Sequence, residues 1–273
     1  MTRPLFHVFR NAPYGRETLL FSAYTCRRLQ IPLRIYLPQQ PRFLFYFEQD
    51  IVQVDLDQSY LRRPETARDN VEALLRLGPP LETGFVEPET FTATGLPDLP
   101  TDFGIMACPR SMTKASGPVG LGLIGPKVRR IILAAPFPVL IPPGVYKPWT
   151  NLAVLYGGSK LAGQAVRLGR QLADRSQAPL QVISFGDRND LARQAKEQGI
   201  LSILEECDWQ VRPGKPIREE LDVVPHDALL LLGAYGHGPV RSLFGSTMED
   251  VQAELPNPLL VVGPRCRIES VFS

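Results

Sequence analysis

No run of this 273-residue sequence is both long and apolar enough to cross a bilayer, which takes about 20 consecutive apolar residues. The most apolar stretch, Ile131 to Val145, is cut by Pro136, Pro138, Pro142 and Pro143, so a helix end followed by a short strand is predicted there. An apolar core of signal-peptide length is also missing before Asn11, and the chain is expected in the cytoplasm. Neither sign of charge is in excess: 30 basic and 28 acidic residues leave +2, too weak a field to recruit nucleic acid or an anionic membrane. Cysteine is scarce and scattered. Cys26, Cys108, Cys207 and Cys266 show no C-x-x-C spacing and no histidine at a metal-ligand interval, which excludes a zinc framework and points to free, buried thiols. There is no G-x-x-x-x-G-K-S/T loop, no strand followed by G-x-G-x-x-G and an acid, and no evident Ser-His-Asp order. The usual kinase, dehydrogenase and hydrolase chemistries therefore lack their groups. No residue is assigned a catalytic or metal-binding role, and the chain is expected not to be an enzyme.

What is present is the composition of a folded globular protein, 44% hydrophobic and 21% charged, and an internal repeat. Gly125 to Pro142 lies over Gly245 to Val262 without a gap, 120 residues apart. Gly125 falls on Gly245, Pro136 on Pro256, Pro138 on Pro258 and Leu140 on Leu260. After each glycine the apolar positions recur at helical spacing, P-x-P ends the helix, and a buried strand follows at Val139 to Ile141 and at Leu259 to Val262.

The openings of the halves agree as well. Short apolar strands are predicted at Leu5 to Phe9 and Asn151 to Leu155, then at Leu33 to Leu37 and Leu180 to Phe185. Helical patterns lie near Glu65 to Leu77 and Asn189 to Leu204, and Ser159 is placed to cap the helix carrying Leu161, Ala165, Leu168 and Leu172. Later strands are expected at Thr101 to Met106 and Asp227 to Leu232. Such alternation predicts an α/β protein of two doubly wound, Rossmann-like parallel-sheet units of about five strands each. The Pro142 to Pro148 linker divides the chain into residues 1–145 and 150–273. An insertion at Pro38 to Tyr60, with Phe43 to Phe47 and alternating Ile51, Val54 and Leu56, reads as a packed extra strand pair in preference to a docking surface.

The segment from Gly233 through Gly236 and His237 to Gly245-Ser246-Thr247 falls between a strand and a helix, where a doubly wound sheet opens its ligand crevice. Glycines let main-chain N–H groups approach an anion, and a helix opening at Gly245-Ser246 adds free amides and a favourable dipole. His237 either touches a phosphate there or is exposed.

With this loop, with Gly214-Lys-Pro216-Ile217 and with Pro256 to Val262, the sequence resembles the universal stress protein family, whose motif is G-x2-G-x9-G-S/T. The resemblance covers nearly the whole chain as a tandem pair. It implies ATP or a related nucleotide as cofactor, held at the second unit by Gly233, Gly236, Gly245, Ser246 and the amide of Thr247. Two positions depart from the family pattern. Eight residues, not nine, separate Gly236 from Gly245, and the place of the aspartate that contacts the nucleoside is taken by Gly157. Phe185 either lines the adenine side or belongs to the core.

In the first half the matching loop, from Cys108 to Gly125-Pro126, has no G-x-x-G, and Pro126 has no amide hydrogen. Arg110, Ser111, Thr113 and Lys114 could hold an anion there, but a solvated polar loop is favoured. The expected role is a stress-response or regulatory nucleotide-binding protein with a protein partner still to be identified, and a homodimer of the two-unit chain is compatible with it. The alternative is a nucleotide-free scaffold for protein contacts.

Overall fold

The structure, a computed structural model, describes residues 2–88, 90–112, 123–212, 217–234, 251 and 254–273. Its elements follow one another as β1 (Leu5–Val8), α1 (Pro13–Leu29), β2 (Leu33–Tyr36), β3 (Arg42–Phe47), β4 (Asp50–Asp55), α2 (Pro64–Leu75), β5 (Thr83–Val86), β6 (Thr90–Phe91), β7 (Pro97–Leu99), β8 (Ile105–Ala107), α3 (Pro126–Ala134) and β9 (Val139–Ile141). Then come β10 (Asn151–Leu155), α4 (Lys160–Ser176), β11 (Leu180–Phe185), α5 (Arg188–Glu197), α6 (Leu201–Glu206), β12 (Asp208–Arg212), β13 (Ala228–Gly233) and β14 (Leu259–Val262).

Ten strands form one sheet in the order β12-β11-β10-β13-β14-β9-β8-β1-β2-β5. Within each five-strand half every pairing is parallel, and only β14 against β9 is antiparallel. That seam pairs Leu259 with Ile141, Leu260 with Leu140, and Val261 with Val139. Leu140 and Leu260 are repeat-equivalent, so the register is the one a two-fold axis between the halves requires. Each half would otherwise leave its last apolar strand as a bare edge.

Alternation along the strands sends residues to two apolar cores on opposite faces. Phe6, Val139, Ile141, Leu230, Leu259 and Val261 belong to one; Leu5, Leu140, Leu229, Leu231, Leu260 and Val262 belong to the other. Both cores run across the seam. Strands buried on both faces are what a helix-covered parallel sheet needs, and they explain the continuous apolar runs in the sequence.

Helix ends follow local chemistry. Ser159 accepts a hydrogen bond from the amide of Ala162 at 3.1 Å and so caps α4, as predicted. Asp187 caps α5 through the amide of Asp190 at 2.9 Å. The helical pattern expected over Asn189 to Leu204 is two helices, because Gly199 takes φ +64° between α5 and α6. The strand expected at Thr101 to Met106 runs instead from Ile105 to Ala107. Gly104 lies against the C-terminal tail, where an added Cβ would stand 2.1 Å from the Val271 carbonyl oxygen.

The insertion forms a second sheet, β4-β3-β7-β6. Its β3–β4 hairpin is the predicted strand pair, and β6 and β7 extend it. Phe43, Phe45 and Phe47 form an aromatic row that meets Phe6 (Phe45, 5.9 Å between centroids) and Phe137 (Phe47, 6.0 Å). The aromatic run is therefore mostly core. Tyr46 and Ile51 stand on the outer face.

Candidate functional site

In the second half β10 is central: the chain proceeds from it to β11 and β12 on one side, then crosses to β13 and β14 on the other. The gap between β10 and β13 is therefore a topological switch point, where open α/β sheets receive ligands outside the strand carboxyl ends. Glycine occupies these ends: Gly157 and Gly158 after β10, Gly186 after β11 and Gly233 closing β13.

The glycines do different things. A Cβ on Gly157 would meet no heavy atom of the described residues within 4 Å. Gly158 takes φ +79°, and a Cβ there would stand 1.6 Å from Oε1 of Gln194. Its carbonyl accepts a hydrogen bond from Nε2 of Gln198 at 2.6 Å. At Gly233 a Cβ would come within 2.7 Å of the Leu161 carbonyl carbon, so its lack of a side chain lets β13 end against the start of α4. Phe185 is half-buried and packs against the core on its face of the sheet. Behind it Ser184 accepts a hydrogen bond from Trp209 Nε1 at 3.0 Å, and Arg188 lies 4.7 Å from the Trp209 ring. Gly236, His237, Gly245, Ser246 and Thr247 lie outside the described residues, as do Gly214 and Pro216. Among the described residues no group of three or more His, Cys, Asp or Glu is arranged to hold a metal ion.

The first half fills the same places differently. Leu5 pairs with Leu33 and Ile105 as Leu152 pairs with Leu180 and Leu229. This register sets Arg10 on Gly157, Pro109 on Gly233 and Arg110 on Ala234. Arg10 is buried and reaches into the insertion. Its Nη2 meets Asp57 Oδ2 at 3.2 Å, its Nε donates to Ser59 Oγ, and its guanidinium lies 5.3 Å from the Tyr60 ring. The Asp57 amide in turn donates to the Met112 carbonyl at 3.1 Å. The crevice of this half is thus covered by the chain itself.

Arg110 corrects an expectation. It is not part of a solvated loop: it is buried, its Nη2 reaches the Leu255 carbonyl at 3.5 Å, and burial pushes its pKa down to about 10. The loop turns inward because the Gly125 amide donates to the Arg110 carbonyl at 2.7 Å and holds the start of α3 against it. Thr113 and Lys114 lie outside the described residues.

Sequence reasoning passed over His7 in β1, which is 2% exposed. Burial holds its pKa down at about 3, so the ring is neutral. A lone histidine inside an apolar strand gives no periodic signal, and only the packing of α1 on β1 reveals its surroundings.

The fold and the glycine-lined switch point define a doubly wound α/β protein in which, among the described residues, one crevice is lined by glycine and the other is covered. The same overall fold occurs in solved structures. A universal stress protein from Archaeoglobus fulgidus DSM 4304 matches with a TM-score of 0.58 at 14% identity, over 96% of this chain and 98% of that one. A functionally unknown protein from Pseudomonas aeruginosa PAO1 matches with a TM-score of 0.54 at 15% identity, over 99% and 95% of the two chains. No family model and no curated protein matches the sequence. The fold is that of the universal stress proteins, in accord with the resemblance carried by the sequence motifs.

Proposed function

We propose that the chain is a regulatory nucleotide-binding protein of the universal stress type that takes ATP or a related nucleotide at residues 150–273, while residues 1–145 take none. It works by binding, without catalysis, in the cytoplasm. The observation that carries this is the contrast between the two crevices. Among the described residues nothing stands within 4 Å of a Cβ built on Gly157 or Gly186 in one half, whereas Arg10, Asp57, Ser59 and Tyr60 occupy the other. The sequence motif adds the phosphate-binding loop, with Gly236, Gly245, Ser246 and Thr247 on the phosphates and ribose and Phe185 beside the base. With Gly157 in place of an acid, phosphates contribute more than the nucleoside, so affinity falls steeply from ATP to adenosine while ATP and GTP differ little.

Calorimetric titration of the intact protein with ATP, GTP and adenosine tests this, together with mass spectrometry for co-purified nucleotide. Ser246→Ala weakens ATP binding by about 1 kcal/mol, the scale of one hydrogen bond. Absence of binding by any nucleotide at millimolar concentration would favour a nucleotide-free scaffold, a reading that the lost nucleoside acceptor at Gly157 also suits.

A further inference from the structure

The insertion covers the side of the first crevice that lies between β1 and β8. On the other side, where β1, β2 and β5 end and α2 begins, the described residues leave a cavity of about 610 Å³, within the range of about 300–1,000 Å³ usual for small-molecule sites. Phe9, Leu37, Pro38, Tyr60 and Ala67 supply its apolar lining. Its shape is set without a ligand, because Asn11 ties the end of β1 to the start of α2. Asn11 Nδ2 donates to the Arg63 carbonyl at 3.1 Å, and Asn11 Oδ1 accepts from Asn70 Nδ2 at 3.1 Å.

Charge says what the cavity would take. Among the described residues its ionised groups are the carboxylates Glu65 and Glu87 and a single cation, Arg68. Arg68 is already engaged, 3.7 Å from the Glu87 carboxylate and 4.1 Å from the Phe85 ring. Glu65 and Gln39 have no partner among the described residues, and both offer oxygen acceptors. The amino end of α2 would by itself draw an anion, but Glu65 stands in its first turn and supplies that negative charge. The carboxylates are felt beyond the lining as well: burial, and after it the Glu87 charge, push the phenol of Tyr36 at the end of β2 up to about 12.

We infer that this cavity binds a small organic cation, an ammonium group carried on a flat apolar body, with the body against Phe9, Leu37, Pro38 and Tyr60 and the ammonium donating to Glu65. Flat rings suit a lining of two aromatic side chains and a proline, and an ammonium brings donors to a rim whose free groups are acceptors. The same carboxylates repel phosphate, so on the reading above the two halves of the chain take ligands of opposite charge. The assignment itself does not depend on nucleotide binding by residues 150–273.

Three molecules that share an indole ring separate charge from shape: tryptamine carries an ammonium group, tryptophol a hydroxyl and indole-3-acetate a carboxylate. The full chain, at neutral pH and low salt, is titrated with each and read by calorimetry and melting temperature. Tryptamine is expected to bind most tightly, tryptophol less so, and indole-3-acetate about tenfold more weakly than tryptamine, the scale of exchanging an attractive for a repulsive charge pair at a partly exposed site. Glu65 is exposed, so its variants keep the fold. Glu65→Gln is expected to weaken tryptamine about threefold with little effect on tryptophol, and Glu65→Lys to reverse the order in favour of indole-3-acetate. Leu37→Trp, which fills the space, is expected to abolish tryptamine binding. Equal responses to the three molecules, no response to any of them, an order unchanged by Glu65→Lys, or tryptamine binding that survives Leu37→Trp would each overturn the assignment.

Discussion

Arg10 and Gly157 occupy equivalent places at the ends of the two central strands, yet one carries a buried guanidinium and the other no side chain at all. No described residue stands within 4 Å of a Cβ at Gly157 and its backbone does not require positive φ, so Gly157→Asp should fold normally. By supplying an acceptor for the nucleoside, it should raise adenosine affinity about tenfold in a calorimetric titration, the worth of one charge-assisted hydrogen bond. The neighbouring Gly158→Ala should behave in the opposite way. Its φ of +79° and the contact with Gln194 make a cost above about 1 kcal/mol the expectation in denaturant unfolding. His7 gives a pH signature. Its pKa falls from 6.5 to about 3 on folding, so below pH 6.5 the unfolded chain holds a proton that the folded one does not. Stability from this group is complete above that value and declines as pH falls, by up to about 1.4 kcal/mol per pH unit. Denaturant unfolding of His7→Phe between the carboxylate range and neutrality should show a flatter pH dependence than that of the natural chain.

At the scale of the element, the insertion shows how one apolar run divides between two uses. Phe45 is fully buried, with its ring 5.3 Å from Phe43 and 5.6 Å from Phe47, whereas Tyr46 is 45% exposed. Phe45→Ala should cost about 3–5 kcal/mol in chemical unfolding, and Tyr46→Ala no more than about 0.5 kcal/mol. The aromatic run and the apolar Val54 and Leu56, two residues apart, made this hairpin readable from the sequence, although Ile51, three residues before Val54, falls on the outer face. The strands that complete its sheet, β6 and β7, were not readable, because two and three residues are too few to show a period. The break between α5 and α6 was hidden for another reason: a single glycine in a helical pattern marks either a tolerated residue or a stop, and only its φ decides.

At the scale of the molecule, the β14–β9 seam makes a continuous sheet out of two halves, with a core on each face that passes through it. Unfolding either half would strip the other of a buried strand, so a single cooperative thermal transition is expected. Scanning calorimetry should give one peak whose van't Hoff and calorimetric enthalpies agree. Two resolved peaks would show that the seam does not couple the halves.

Local and repeating features were determined by the sequence alone, because they depend on chain geometry. The strand and helix alternation, the Ser159 cap, the strand pair of the insertion and the two apolar strands that meet at the seam all follow from periodicity, capping chemistry and the 120-residue repeat. The fate of the polar groups at the first crevice was decided only by tertiary structure. Nothing near Arg10 in the sequence announces Asp57, 47 residues away, and Arg110 reads as a loop residue until the Leu255 carbonyl, 145 residues further on, is folded against it. Burial and pairing of a charge depend on which distant segments pack around it, and a doubly wound sheet brings such segments together only when its strand order is complete.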